Sequence, residues 1–501
     1  MKDLRILFIN PCLRHGAKLK ILPVGLGSVM TYVRQCGYDF ELYDIDINEP
    51  DDAQVESFLT ENQFDVILYG SIVTHYAWMK WLTHTIKRHH PETITIIGNS
   101  VAASCAKVFM DNTPADVIVH GEGEMTCVDV LHALRSGATL DGIEGITFRQ
   151  RGGKIVKNPP RKAGDINLLP MPDWSLFDVP AYFSHSVGTS FGSDKADAVT
   201  MPVSTARGCA FRCSFCHFVF WDDPYRHRKP DLVLAEIRRD MELFGANYFN
   251  FWDDLSFASV RQVERMLDAI EESKLEFEWS AAIRTDLLGR EKLPTQKRID
   301  IAKRMRDLGC NAVGYSLESA NAEILKMMNK HVERDFFLEQ VEILREAGIT
   351  SNVSVVFGYP IETKDTIKET FDMCLQAQIY PSIGYLLPLP ATKMYDYALE
   401  NGFIVDEDEY LVSITERQDL CVNMTTMGDT EVLETIAEGA SRLNEQLNIG
   451  LSESSLIKTG GYRKHTNKKT QLGDSMPKRN ENDFSFNYSN AEFDMSNGTA
   501  S

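Results

Sequence analysis

Three cysteines fall within eight residues, in the segment Thr205-Ala206-Arg207-Gly208-Cys209-Ala210-Phe211-Arg212-Cys213-Ser214-Phe215-Cys216. The spacing C-x3-C-x2-C puts three thiols on one tight loop, and three thiolates can hold three corners of a cubic iron–sulfur cluster. The fourth iron then has no protein ligand, an open position of the kind that catalytic metal sites keep. Zinc is the competing chemistry, but structural zinc takes four ligands, commonly as two pairs. Here the fourth would be His217 or His227. The other seven of the ten cysteines are scattered singly, as plain buried thiols are in a cytoplasmic chain. A second chemistry comes from short acidic and polar segments: Phe251-Trp252-Asp253-Asp254-Leu255-Ser256, Gly314-Tyr315-Ser316-Leu317-Glu318-Ser319 and Gly358-Tyr359-Pro360-Ile361-Glu362-Thr363. An ionised carboxylate only accepts hydrogen bonds, so it suits a cationic ligand. Helix capping is the plainer role for Asp254, Ser256, Glu362 and Thr363.

These segments sit at the ends of apolar runs. Strands are expected at 203–206, 248–251, 277–281, 312–316, 352–357 and 382–387, separated by helical patterns at 231–244, 260–273, 296–308, 336–347 and 364–378. Six strand–helix repeats fit a partial (β/α)6 barrel of the TIM type. Right-handed crossovers would open all six strand ends on one face. Ahead of it, strands at 4–9, 40–43, 66–69, 94–97 and 117–119 alternate with helical patterns, which predicts a doubly wound parallel sheet. The fold class is therefore α/β, and ligands are expected beyond the carboxyl ends of the strands. The expected organisation is a first domain at 1–140, a linker at 141–200 broken by glycines and prolines, the barrel at 201–390 and a helical region at 391–450. The tail at 451–501, rich in Asn, Ser, Thr, Lys and Gly, is too polar to bury a core and is expected to be disordered.

The 501 residues include 52 Lys and Arg against 72 Asp and Glu, a formal net charge of −20. Such a chain repels nucleic-acid phosphates unless it carries a basic patch. The basic clusters at 226–229 and 463–465 are short and read as solvated surface, so no nucleic-acid partner is expected. No apolar run approaches the roughly 18 residues of a membrane span. The N-terminal apolar run is too short for a signal peptide and no cleavage signal follows it, which points to a cytoplasmic protein.

The cysteine loop and the strand ends together resemble the radical S-adenosylmethionine enzymes. In that family the amine and carboxylate of S-adenosylmethionine chelate the fourth iron of a 4Fe-4S cluster. One electron then splits the cofactor to a 5′-deoxyadenosyl radical that abstracts hydrogen from strong C–H bonds. The resemblance implies Cys209, Cys213 and Cys216 as cluster ligands. It implies Asp253 and Asp254 as an acidic turn accepting from the cofactor's ammonium, and Ser316 and Glu318 beside the ribose and methionine moieties. It sets Gly358 in a turn whose backbone approaches the adenine, with Phe215 as the aromatic next to that ring. Arg284, at the end of the third strand, could reach the cofactor carboxylate, though a solvated arginine is the plainer reading.

The first domain resembles that of the cobalamin-binding subfamily, which includes class B radical methylases and the anaerobic magnesium-protoporphyrin cyclase. The matching segments are Pro23-Val24-Gly25-Leu26-Gly27, Tyr43-Asp44, Gly70-Ser71 and Gly121-Glu122-Gly123-Glu124. Small residues at strand ends let a flat corrin and its nucleotide tail approach the backbone. The resemblance thus implies Gly25, Gly70, Ser71, Gly121 and Glu122 as cobalamin-side residues. Two departures stand out: no D-x-H-x-x-G motif supplies an axial histidine, His75 reading as structural, and Asn99 stands where the family has paired glycines. The activity implied is methylation of an unactivated carbon or a phosphorus of a small-molecule or natural-product intermediate, with radical cyclisation or rearrangement as the alternative. A one-electron reductant such as flavodoxin or ferredoxin is implied as partner. A corrinoid or iron–sulfur sensor and an RNA-modifying methylthio-transferring enzyme are the other readings. The latter carries a second cysteine trio, whereas Cys12, Cys36 and Cys105 lie far apart. Specificity is assigned to 165–200 and 385–450, with Tyr385, Tyr395 and Tyr397 read as core.

Overall fold

The structure, a computed structural model, describes residues 3–17, 19–186, 198–216, 223–290, 292–415 and 419–457. The first sheet contains β1 (Ile6–Asn10), β2 (Glu41–Asp44), β3 (Val66–Gly70), β4 (Ile94–Gly98), β5 (Val117–Val119), β6 (Ile146–Arg149) and β7 (Ile155–Lys157). Its order is β2-β1-β3-β4-β5-β6-β7, with the first five strands parallel and β6 and β7 antiparallel. Every residue of β1 is buried, because helices cover both faces of the sheet and leave no polar side. Ile6 and Phe8 pack with the helices Val24–Gln35 and Gly123–Ser136. Leu7 and Ile9 pack with Asp52–Glu61, Tyr76–His89 and Ala106–Asp111 on the opposite face. That alternation is the period of two that a strand imposes.

The second sheet is all parallel. Its strands are β8 (Thr200–Val203), β11 (Tyr248–Phe251), β12 (Glu278–Ala282), β13 (Cys310–Glu318), β14 (Thr350–Phe357) and β15 (Ser382–Tyr385), neighbours in that order. Between the first two lies an antiparallel ribbon of β9 (Ala206–Arg207) and β10 (Arg226–His227). With β8 and β15 at its edges, the sheet is an open six-stranded barrel with its helices outside, of the α/β class expected. Helices Lys393–Glu400, Glu407–Ser413 and Asp429–Gln446 follow. The second of these ties the far end of the chain to the first domain, where Asp408 accepts from Tyr76 Oη at 2.7 Å and from Lys80 Nζ at 2.5 Å.

The segment expected to be a surface linker differs from that reading. The hairpin β6–β7 pairs on β5 and completes the first sheet. Trp174 is 1% exposed and packs so closely on the helix Val24–Gln35 that a Cβ at Gly27 would come within 2.8 Å of its ring. Burial of Trp174, Phe177 and Tyr182 gives this segment the apolar contacts that its Pro and Gly content concealed. The strand expected at 203–206 is also displaced: β8 ends at Val203, and Ala206 and Arg207 belong to the ribbon. Most of the tail, from 458 onward, lies outside the described residues, as does His217.

Candidate active site between the two sheets

The carboxyl ends of both sheets open into one cavity of about 1350 Å³. The first sheet contributes Asn10 and Pro11 at the end of β1, Gly70 and Ser71 at the end of β3, Gly98 and Asn99 at the end of β4, and Gly121, Glu122 and Gly123 after β5; Gly25 comes from the first turn of the helix Val24–Gln35. The second contributes Cys209, Cys213, Phe215, Cys216, Asp253, Asp254, Arg284, Ser316, Glu318 and Lys330. Every site residue named from the sequence lies on this wall except Gly358. The wall follows β14 through 352–356 and stops short of it. Gly358 (φ 107°) holds a backbone conformation suited to glycine, and its N–H donates to Glu362 Oε2 at 2.5 Å. Glu362 is fully buried and serves that turn, with its carboxyl raised to about 7 by loss of water. Thr363 is a plain N-cap in a capping box with Thr366.

The loop carrying the cysteines is fastened at its stem. Asp253 accepts from the Thr205 N–H at 2.9 Å, the Thr205 hydroxyl at 2.6 Å and the Ala206 N–H at 3.0 Å. One of the two expected ammonium acceptors is therefore occupied in shaping the loop. Asp254 opens onto the cavity instead. The protein around it and the charge on Asp253 raise its carboxyl to about 6. Neither it nor Ser256 caps the following helix, whose N-cap is Ser259. Past the cysteines, Ser214 is held to the turn after the helix Ala322–Met327, its N–H donating to Met328 O at 2.8 Å and its hydroxyl to Met327 O at 2.8 Å.

Basic groups stand behind the trio. Burial raises the Cys209 and Cys213 thiols, and the charges of Arg284 and Lys330 act in the opposite sense. Arg284 is not the solvated arginine expected. It is 7% exposed, paired with Asp286 at 2.6 Å, and its guanidinium lies 3.8 Å from the Phe211 ring centroid. Lys330 pairs with Glu318 Oε1 at 2.9 Å, while the buried Oε2 of Glu318 has no hydrogen-bond partner among the described residues. Glu318 also sits at φ 67°, at the register shift between β13 and β14. A non-glycine residue there carries backbone strain, which functional sites often store. The Ser316 hydroxyl is 2.6 Å from that of Ser354.

On the first-domain side, Gly25 and Gly121 face open space, so a side chain there would project into the cavity. Gly70 is glycine for another reason: a Cβ would come within 2.6 Å of the Gly98 carbonyl oxygen on β4. Asn99 adopts φ 63°, a left-handed backbone that asparagine tolerates, in place of the paired glycines. His75 is structural as expected, bonded to the Ser71 hydroxyl at 3.0 Å and stacked on Trp78. Asp44 is also structural, accepting from Asn10 and Tyr182 at 2.8 Å each. The run at 226–229 is not solvated surface: Arg226 pairs with Glu122 at 2.7 Å and Arg228 with Glu236 at 2.8 Å. Tyr385 and Tyr395 are core, and Tyr380 reaches the cavity wall in their place.

The fold and site define an enzyme of two parallel α/β units that face each other across a cavity with a thiol trio on one wall. Residues 203–374 match the radical SAM superfamily, and residues 12–131 match the B12 binding domain. The chain thus carries both a radical SAM domain and a B12-binding domain. It is 24% identical to an uncharacterized methyltransferase of Pyrococcus horikoshii, over 81% of this chain and 85% of that one. It is 25% identical to the anaerobic magnesium-protoporphyrin IX monomethyl ester cyclase of Rubrivivax gelatinosus, over 74% and 65%. The radical S-adenosylmethionine methyltransferase TsrM of Kitasatospora setae, solved with cobalamin and a [4Fe-4S] cluster, shares the fold, with a TM-score of 0.61 at 17% identity over 80% of this chain and 78% of that one.

A radical SAM domain implies a 4Fe-4S cluster with S-adenosylmethionine, and a B12-binding domain implies cobalamin. The residues present fit all three groups. Among the described residues, three metal-ligating atoms come within 4.8 Å of one another at Cys12, His15 and Glu49 rather than at the cysteine loop. The three loop thiols do not form such a group, whereas thiolates that each bind a separate iron are the ligand set of a 4Fe-4S cluster. The unpartnered oxygen of Glu318 and the open carboxylate of Asp254 fit a cationic, hydroxyl-bearing cofactor. The bare Gly25 and Gly121 fit a broad, flat one.

Proposed function

We propose that this enzyme methylates an unactivated carbon or a phosphorus of a small-molecule or natural-product intermediate. The observation that carries the reading is the single cavity shared by the thiol trio and the glycine-lined ends of the first sheet. When bound, the cluster supplies an electron for cleaving S-adenosylmethionine, and cobalamin supplies a methyl group to transfer. Cys209, Cys213 and Cys216 would hold the cluster. Asp254, ionised above about pH 6, accepts from the ammonium of S-adenosylmethionine. Glu318, anchored through one oxygen by Lys330, offers the other to the same cofactor. Phe215 provides an apolar face, and Gly25, Gly70, Ser71, Gly121 and Asn99 line the cobalamin side. Both domains line the cavity, and Ile449, Leu451 and Leu456 add apolar side chains to its wall.

A one-electron donor such as flavodoxin or ferredoxin is the expected partner, in the cytoplasm; no helix among the described residues is long and apolar enough to cross a membrane. The resemblance to the cyclase supports oxidative cyclisation or rearrangement as the second reading. The test uses the reconstituted protein with S-adenosylmethionine labelled in its methyl group and an extract of the source organism as acceptor. Methylation predicts that 5′-deoxyadenosine and S-adenosylhomocysteine both form and that label enters product. Formation of 5′-deoxyadenosine alone, with unlabelled product, would leave cyclisation or rearrangement.

A further inference from the structure

Arg207 and Arg226 stand opposite each other on the β9–β10 ribbon, and both reach into the first domain. Arg207 donates to Glu124 at 2.6 Å and to the Ser28 hydroxyl at 3.2 Å, and pairs with Glu122 at 3.1 Å. Arg226 donates to both oxygens of Glu122, at 2.7 and 3.1 Å, and to Gly164 O at 2.7 Å. Ser28 completes the group by donating to Glu124 at 2.6 Å. Glu124 is 3% exposed; burial alone would raise its carboxyl, but Arg207 and Ser28 hold it below its usual value. Glu122 and Glu124 flank Gly123, where the glycine turn after β5 enters a helix. Arg207 is two residues before Cys209. On its other side, the stem at 204–206 is bonded to Asp253 of the barrel.

We infer that Arg207 is a positioning residue whose pairing with Glu122 and Glu124 couples the two halves of the cavity, so that occupancy of the cysteine loop changes the affinity of the glycine-lined side. The inference rests on the cofactor reading above. Its physical basis is the cost of stranding a buried charge. Glu124 has its cation only while the cysteine loop is in place, and displacing the loop would leave that carboxylate uncompensated or drag the glycine turn with it. Both arginines are held by carboxylates in pairings that a lysine cannot reproduce in full. The coupling is reciprocal by linkage, and such couplings run from about 5-fold to 150-fold in affinity.

The test is equilibrium dialysis of hydroxocobalamin against anaerobic full-length protein, with the iron–sulfur cluster reconstituted and with it stripped. Wild type is expected to bind at least about fivefold more tightly with the cluster in place, and Arg207→Lys and Glu124→Gln to bring that ratio below about twofold with iron per chain unchanged. A wild-type ratio near one, or a ratio retained in both variants, overturns the coupling. No hydroxocobalamin binding by wild type in either state overturns the cofactor reading beneath it. Should the variants fail to fold, hydrogen exchange on wild type decides. Amides 121–126 gain protection on cluster reconstitution if the inference holds, and unchanged exchange there overturns it.

Discussion

The two sheets turn their carboxyl ends toward the same cavity but furnish it in opposite ways. The first presents much backbone and small side chain, at Gly25, Gly70, Ser71, Gly98 and Gly121, and its carboxylates Glu122 and Glu124 are taken up by Arg207 and Arg226. The second presents side chains that ionise or ligate: the three thiols, Asp254, Glu318 and Lys330. A broad, flat ligand is bound by removing side chains, and a small charged one by supplying them. The same contrast recurs between neighbours. Asp253 and Asp254 are adjacent carboxylates, yet one is occupied by three donors of the loop stem and the other opens to the cavity.

Changes on the side-chain wall should abolish chemistry, while changes on the glycine wall should alter cobalamin binding first. The largest effect is expected at Asp253. Asp253→Ala leaves the Thr205 and Ala206 donors buried without an acceptor and should cost about 2–4 kcal/mol in urea unfolding. Asp254→Asn should instead weaken S-adenosylmethionine binding by about 10-fold to 100-fold, as loss of a charge-assisted hydrogen bond does. Its effect on stability has the opposite sign. The folded carboxyl, at about 6, lies above the usual aspartate value, so the native state holds a proton that the unfolded chain has released. Stability therefore falls as pH rises through that window. Because Asp254 is exposed to the water-filled cavity, which screens its charge, Asp254→Asn should raise Tm only slightly, by up to about 1 °C, at pH 7 and leave it unchanged at pH 3, read by thermal melts of the cofactor-free protein.

Gly70→Ala meets the β4 backbone and should cost about 1–3 kcal/mol with S-adenosylmethionine affinity unchanged. Gly25→Ala, in the first turn of a helix, should leave stability within about 0.5 kcal/mol and weaken hydroxocobalamin binding in equilibrium dialysis. Equal losses of S-adenosylmethionine affinity at Gly25 and Asp254 would erase the distinction between the walls.

Much of this was legible in the sequence because it is local. The C-x3-C-x2-C spacing marks the trio without any fold, and the strand ends of both sheets follow from apolar period and breakers. What escaped depends on contacts between distant segments. Arg226 reads as part of a solvated basic run, and nothing in the sequence marks Arg207, until the ribbon sets them side by side against Glu122, 104 residues before Arg226. Nothing in a run of two aspartates shows which will be taken by the loop stem. The attachment of the β6–β7 hairpin to β5 is not legible in that segment, since edge pairing depends on the neighbour and not on the strand's own pattern. Gly358 had the right local signal and the wrong destination: its turn is built around Glu362 rather than the cavity.

The central claim is that the trio of thiols is where S-adenosylmethionine is cleaved. The most direct measurement is the 5′-deoxyadenosine formed by reconstituted, reduced wild type and by Cys213→Ala, with iron per chain determined on the same samples. The account predicts about four irons and steady product in wild type, with iron much reduced and product at background in the variant. Undiminished product from Cys213→Ala would contradict it.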